Sequence, residues 1–118
     1  TRSDRDWSSD VCSSDLHWAF DGTELKEGDL FGQNCLHMRC PGGASGHETD
    51  KITASSPANI ELLAKGLNPD NGGAEMVYHN TVSGGEVFSA GSISYPSALP
   101  VDDSVSRITA NVLDRFLR

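Results

Sequence analysis

The chain has 118 residues, enough for one domain with a single hydrophobic core. Its formal net charge is −8, and the acidic residues are scattered with no basic cluster, which argues against nucleic acid and anionic membranes as partners. No apolar run approaches the ~20 residues that a membrane-spanning helix needs.

Residues 1–16 form a polar segment that repeats Ser-Asp and follows neither the helical nor the strand period. This composition predicts disorder. The run from Arg5 to Leu16 also resembles the translation of a short-read sequencing adapter. We therefore leave this adapter-like segment out of the fold prediction. We expect the protein proper to begin near His17, as the C-terminal end of a longer reading frame.

The stretch from His17 to Gly32 is broken by glycines every few residues, which predicts loops anchored by aromatic side chains. Cys35, His37 and Cys40 then bring together residue types that bind zinc, but their spacing matches no common zinc module. We assign no metal ligand here. Without the adapter-like segment two cysteines remain, too few for a secreted disulfide framework, which favours a cytoplasmic protein.

The polar cluster after the glycine-rich loop contains His47, Glu48 and Asp50. A histidine beside carboxylates can carry out acid–base chemistry or orient a ligand. The same residue types also hydrogen-bond to loop backbone, so a structural role stays open. These three residues are the catalytic candidates that the sequence offers.

The segment from Ser56 to Gly66 gives conflicting signals. Ser56 as N-cap, Pro57 in the first turn and Gly66 after the last turn are typical of a short helix. The apolar run around Leu62 is equally compatible with a buried strand. Both interpretations are kept.

The organising unit of the chain is a predicted hairpin followed by a helix. Residues 74–80 are strand-like, 81–85 form the turn, and the run from Gly84 to Ile93 contains the second strand. Val87 and Phe88 point to opposite faces of that strand, which predicts that both faces are covered.

A helix is predicted from Val101 to Leu117, with Asp102 or Asp103 as its N-cap. Its apolar residues recur at helical spacing and predict one buried stripe. The residues of that stripe are Val105, Ile108, Val112, Leu113, Phe116 and Leu117.

Motifs in this order resemble the C-terminal part of the large (β) subunit of N,N-dimethylformamidase, over nearly all of residues 17–118. The resemblance begins in the segment from His17 to Gly32. It continues through Gly46-x-Glu48-x-Asp50-Lys51, Leu63-Ala64-x-Gly66, Gly73-Ala74-Glu75-Met76-Val77, Gly84-Gly85-x-Val87-Phe88-Ser89-Ala90-Gly91-Ser92-Ile93 and Val105-Ser106-Arg107-Ile108-Thr109-x-Asn111-Val112-Leu113.

The resemblance implies an α/β fragment of a domain similar to class I glutamine amidotransferases, with a flavodoxin-like fold. It also implies an enzyme of large and small subunits, in homo-oligomeric copies, that hydrolyses N,N-dimethylformamide to dimethylamine and formate. In that family a mononuclear iron is held by two tyrosines and a glutamate.

The resemblance transfers no iron ligand to this chain. Tyr78 and Tyr95 are its two tyrosines, and neither lies in a matching ligand motif. We expect the iron ligands upstream of His17 and an inactive fragment that binds no iron. The alternative is a non-catalytic amidotransferase-like domain with a structural, subunit-contact or binding role. We also expect the fragment to expose apolar surface and to be poorly soluble alone.

Overall fold

The computed structural model describes residues 10–12, 16–36 and 43–118. These residues form a small mixed α/β fold around one five-stranded sheet. The strands are β1 (Asp10–Cys12), β2 (Leu30–Phe31), β3 (Glu61–Gly66), β4 (Glu75–Asn80) and β5 (Glu86–Ser89). Their order across the sheet is β2-β1-β3-β4-β5, and every pairing is antiparallel.

The predicted hairpin is confirmed. Strands β4 and β5 pair in register from Val77 opposite Ser89 to Asn80 opposite Glu86. The turn closes where the Thr81 N–H donates to the Gly85 carbonyl over 2.8 Å. Gly84 has a φ of 92°, which lies in the left-handed region where glycine carries no steric penalty.

The prediction that β5 is covered on both faces is wrong. The strand lies at the edge of the sheet, and Val87 is 39% exposed. Phe88, opposite Tyr78, packs against the core instead. The two apolar side chains gave no indication that the sheet ends at this strand.

The ambiguous segment from Ser56 to Gly66 is a strand in its second half. Residues 57–60 form a turn in which the Ile60 N–H donates to the Pro57 carbonyl over 3.2 Å. Strand β3 then pairs with β1 on one side and β4 on the other, with a bulge between Leu62 and Ala64. Pairing on both edges outweighs the local helical signals.

Helix α1 (Tyr95–Ala98) is a single turn, and α2 (Asp103–Phe116) is the predicted C-terminal helix. Asp102 is its N-cap, because its Oδ1 accepts a hydrogen bond of 3.0 Å from the Val105 N–H. Val105, Ile108 and Val112 are buried as predicted.

The predicted apolar stripe of α2 is wrong over its last turn. Leu113 is 56% exposed, Phe116 is 41% exposed and Leu117 is 86% exposed. These three side chains are therefore largely or partly exposed to solvent, although Arg115 in the same turn of the helix bonds to Glu86 of β5.

The hydrophobic core lies between one face of the sheet and α2. It is closed by a short 3₁₀ turn, Trp18–Phe20, which Asn111 ties to the helix by hydrogen bonds of 2.9 Å and 2.8 Å to the carbonyls of Ala19 and Asp21. The largest fully buried apolar side chains are Phe31, Leu63, Met76, Ile108 and Val105.

Part of the adapter-like segment belongs to the sheet. Asp10–Cys12 form β1 between β2 and β3, so the prediction of disorder is wrong for these three residues. They supply the backbone hydrogen-bonding groups that β2 and β3 would otherwise leave open. The adapter origin of residues 1–16 stays a prediction.

The central parallel strands of a flavodoxin-like fold do not occur among the residues that the structure describes. No helix in that part of the chain is both long and apolar enough to cross a membrane.

Candidate functional site

A cleft of about 590 Å³ opens between the Trp18–Phe20 turn, the start of β3, the end of β4 and the C-terminal half of α2. We call it the His17 cleft. It is lined by Leu16, His17, Trp18, Asp21, Glu61, Tyr78, Asn80 and Arg115.

His17 is held in one orientation at the bottom of the cleft. It is the N-cap of the Trp18–Phe20 turn, and its Nδ1 accepts a hydrogen bond of 3.1 Å from the Ala19 N–H. In a neutral imidazole the proton must then reside on Nε2. Nε2 lies 3.9 Å from Oε2 of Glu61, beyond hydrogen-bonding distance.

The pKa of His17 is lowered from its ordinary value, chiefly by burial and further by the Arg115 charge, against the opposing effect of Glu61 and Asp21. The imidazole is therefore neutral at pH 7. It presents an N–H donor to the cleft rather than a basic lone pair, since its other nitrogen already accepts a hydrogen bond.

Three aromatic rings form the wall behind this donor. The ring of His17 lies 4.9 Å from that of Trp18 and 5.0 Å from that of Tyr78, and the Trp18 and Tyr78 rings meet edge to face at 5.4 Å. The guanidinium carbon of Arg115 lies 4.9 Å from the centre of the Trp18 ring. This packing fixes the shape of the cleft.

Tyr78, Glu86 and Arg115 form a connected polar group at the cleft wall. The Tyr78 hydroxyl hydrogen-bonds to Glu86, whose Oε1 also accepts from the Arg115 Nε over 2.9 Å. Burial and then the bond to Glu86 raise the pKa of Tyr78, while the Tyr78 hydroxyl and Arg115 lower the pKa of Glu86. Tyr78 therefore remains a protonated donor at neutral pH, and Glu86 remains ionised.

The charge balance of the cleft is negative. Asp21 and Glu61 line it, and the one cation in its lining, Arg115, is already paired with Glu86. An anionic ligand would meet net repulsion here, whereas a neutral ligand with both hydrogen-bond donors and acceptors would not.

His47, Glu48 and Asp50, the catalytic candidates from the sequence, are exposed and do not line the His17 cleft. Their backbone pairs with the segment after β5: the Asp50 N–H donates to Gly91 over 2.7 Å, and the Ile93 N–H to His47 over 3.2 Å. Glu48 has a φ of 48°, which marks a turn. The structure thus assigns this segment a backbone role, and its catalytic role stays a prediction.

The sequence also placed metal-binding residue types around Cys35. His37 and Cys40 lie outside the described residues, and the Cys35 Sγ is 2.7 Å from the Ser97 Oγ. Within residues 10–12, 16–36 and 43–118, no group of three or more His, Cys, Asp or Glu side chains is arranged to hold a metal ion.

The two tyrosines do not fit an iron-binding pair. The Tyr95 hydroxyl is buried beside the Thr109 Oγ1 at 2.9 Å, and burial raises the pKa of Tyr95 to about 12. Tyr78 is engaged by Glu86, and its pKa is raised as well. Both hydroxyls are therefore already engaged within the fold and do not present free phenol oxygens to a metal ion.

Sequence reasoning missed the His17 cleft. His17 and Trp18 were interpreted as part of a loop, and Arg115 was assigned to no site. The one indication of this site in the sequence was the pair of adjacent aromatic rings, His17-Trp18, at the start of a glycine-rich loop. The partners of these rings come from β4 and α2, and a single sequence does not show that proximity.

Comparison with known proteins identifies the family. Residues 3–109 match the family described as "N,N-dimethylformamidase beta subunit-like, C-terminal". The N,N-dimethylformamidase beta subunit of Paracoccus aminophilus is 32% identical over 133 aligned positions, which cover 86% of this chain and 16% of that protein. The chain belongs to this family.

A second N,N-dimethylformamidase beta subunit, from an Alcaligenes species, is 32% identical over 105 positions that cover 65% of the chain and 14% of the relative. The chain therefore spans about one sixth of the length of these dimethylformamidase subunits. The residues matched to the family include His17, Glu61 and Tyr78, and they end before Arg115.

Proposed function

We propose that this chain is the C-terminal segment of the large subunit of an amide hydrolase that converts N,N-dimethylformamide and water to dimethylamine and formate. The observation that carries the proposal is the family match over residues 3–109. The two dimethylformamidase beta subunits at 32% identity support it.

In this proposal the chain alone is inactive and binds no iron. The contacts of the two tyrosines support the absence of an iron site, because the hydroxyls of Tyr78 and Tyr95 are each hydrogen-bonded within the fold. The iron ligands that the resemblance implies are placed upstream of His17. The active enzyme then needs the remainder of the large subunit, the small subunit and further copies of both, in the cytoplasm.

The larger domain is proposed to be similar to class I glutamine amidotransferases. The antiparallel sheet then forms one part of that domain. The exposed last turn of α2, with Leu113, Phe116 and Leu117, supports a missing neighbour, because large apolar side chains grouped at one helix end are costly in water.

A chimeric subunit tests the proposal. Residues 17–118 replace the matched C-terminal segment of the Paracoccus aminophilus subunit, which is expressed with its small subunit. Formate release from N,N-dimethylformamide is then measured. We expect a folded, assembled and active enzyme. An assembled chimera that releases no formate would contradict the assignment.

The alternative is a structural, subunit-contact or binding role for a non-catalytic amidotransferase-like domain. The backbone pairing of residues 47–50 with residues 91–93 favours it. In the active chimera, Glu48→Ala and Asp50→Ala separate the two roles, with the exposed Glu24→Ala as control. Loss of turnover with unchanged assembly supports a catalytic role. Loss of assembly alone supports the structural one.

A further inference from the structure

The His17 cleft contains a hydrogen-bond donor and an acceptor that face each other without bonding. The Nε2–H of His17 and Oε2 of Glu61 lie 3.9 Å apart. The His17 side chain is only 6% exposed, whereas that of Glu61 is 52% exposed and borders the opening. Both side chains line the cleft, so a small ligand that enters past Glu61 meets His17.

We propose that this pair binds a neutral carboxamide whose N–H lies on the same side as its carbonyl oxygen, as in a primary amide or a lactam. The carbonyl oxygen accepts from His17 Nε2–H, and the amide N–H donates to the Glu61 carboxylate. No bond is formed or broken in this step.

The spacing supports a paired contact. Standard amide geometry puts the oxygen and nitrogen of a carboxamide about 2.3 Å apart, and each hydrogen bond adds about 2.9 Å. The two hydrogen bonds then diverge slightly from the carboxamide, because the donor and the acceptor on the protein are 3.9 Å apart. An ordinary secondary amide is trans, so its N–H points away from the oxygen and cannot make both contacts.

The surroundings favour a neutral ligand with an apolar body. The rings of Trp18 and Tyr78 pack beside His17 and provide apolar surface. Asp21 and Glu61 disfavour an anion, and the buried N–H of His17 disfavours a cation at the bottom of the cleft. Because Nδ1 is fixed by the Ala19 N–H, the donor needs no reorganisation on binding.

This proposal does not rest on the proposed amide hydrolysis. N,N-dimethylformamide has no amide N–H and cannot make the contact to Glu61. The ligand is thus a different class of amide from the proposed substrate, and binding to the 118-residue chain is measured without turnover. Failure of one proposal leaves the other standing.

The test is a titration of the ¹⁵N-labelled 118-residue chain with 2-pyrrolidinone, a lactam with the required N–H. The reporters are the Ala19 amide and the Trp18 indole N–H, with Trp7→Phe used to assign the indole signal. We expect saturable shifts with a Kd on the order of millimolar, as suits so small a ligand. N-methyl-2-pyrrolidinone differs by one methyl group and should bind about tenfold more weakly or not at all.

Two variants remove one contact each. His17→Asn removes the Nε2–H donor but can still cap the Trp18–Phe20 turn, and Glu61→Met keeps the side-chain length but removes the acceptor. Each should weaken lactam binding about tenfold, whereas the exposed Asp70→Asn should not change it. Equal binding of the two lactams, or unchanged binding in both cleft variants with native-like spectra, would overturn the proposal.

Discussion

Asp10 and Asp102 place two carboxylates on either side of Gly32. The Gly32 N–H donates to Asp102 Oδ2 over 2.9 Å, and a Cβ at Gly32 would lie 3.3 Å from Asp10 Oδ2. Asp10 lies in β1, next to the edge strand β2, and Asp102 caps α2, and both are buried. Burial, and then the nearby Asp102 charge, raise the pKa of Asp10 to about 7.

The first prediction concerns stability against pH. Asp10 has a folded-state pKa of about 7 against an ordinary 3.8. Its contribution to stability is therefore present at acidic pH and lost as the pH rises through about 7, because the folded state binds the extra proton. Asp10→Asn should stabilise the chain above pH 7 by an amount on the order of 4 kcal/mol and flatten this decline.

Urea unfolding between pH 5 and pH 8 measures the effect, with the exposed Asp70→Asn as control. The wild-type chain should lose stability over this range relative to Asp10→Asn, while the control follows the wild type. Parallel curves for Asp10→Asn and the wild type would show that Asp10 does not titrate in this range.

The second prediction concerns the cap of α2. Asp102 satisfies the N–H groups of Gly32 and Val105 with its two oxygens. Asp102→Ala leaves both unpaired and should cost about 2 to 4 kcal/mol, whereas Asp102→Asn keeps the cap to Val105 and should cost less. The comparison is made by urea unfolding at pH 5, where Asp10 is protonated. Equal losses of stability in Asp102→Ala and Asp102→Asn would mean that the hydrogen bond from the Val105 N–H contributes little.

The third prediction concerns the close approach of Gly66 and Gly73. A Cβ on Gly73 would lie 2.5 Å from the carbonyl carbon and oxygen of Gly66, which are backbone atoms and cannot rotate away. Gly73→Ala should therefore cost about 1–3 kcal/mol or more. Gly85→Ala, where the nearest atom belongs to the Thr81 side chain at 3.1 Å, should stay within about 0.5 kcal/mol.

Thermal unfolding by circular dichroism compares these glycine variants. A loss of stability in Gly85→Ala as large as that in Gly73→Ala would contradict the steric account. A larger loss in Gly73→Ala alone supports the steric account, because both variants lose the same backbone freedom in the unfolded chain.

Much of the fold could be predicted where local signals agreed. The hairpin of β4 and β5 follows from alternation and turn residues, and the start of α2 follows from Asp102 before an apolar period. Strand β3 could not be decided, because the helix signals at Ser56 and Pro57 are local whereas its pairing is not. The edge position of β5 is likewise a property of the whole sheet.

The candidate site was less predictable. His47, Glu48 and Asp50 were chosen because they are adjacent in sequence, yet the structure gives their backbone the contacts to residues 91–93. The His17 cleft brings together residues from the first and last quarters of the described chain. Only the fold reveals such a site, because no local spacing connects His17 with Arg115.

The last prediction concerns the exposed end of α2. Ile108 is fully buried and Leu117 is 86% exposed. Ile108→Ala should therefore cost about 2–5 kcal/mol, because it leaves a cavity. Leu117→Lys should change the free energy of unfolding by less than about 0.5 kcal/mol. It should also increase the solubility of the chain, because it replaces an exposed apolar side chain with a charged one. Urea unfolding and the soluble fraction after centrifugation measure the two effects. A Leu117→Lys chain that unfolds as readily as Ile108→Ala would mean that this side chain is covered in solution, by another copy of the chain or by an altered helix end.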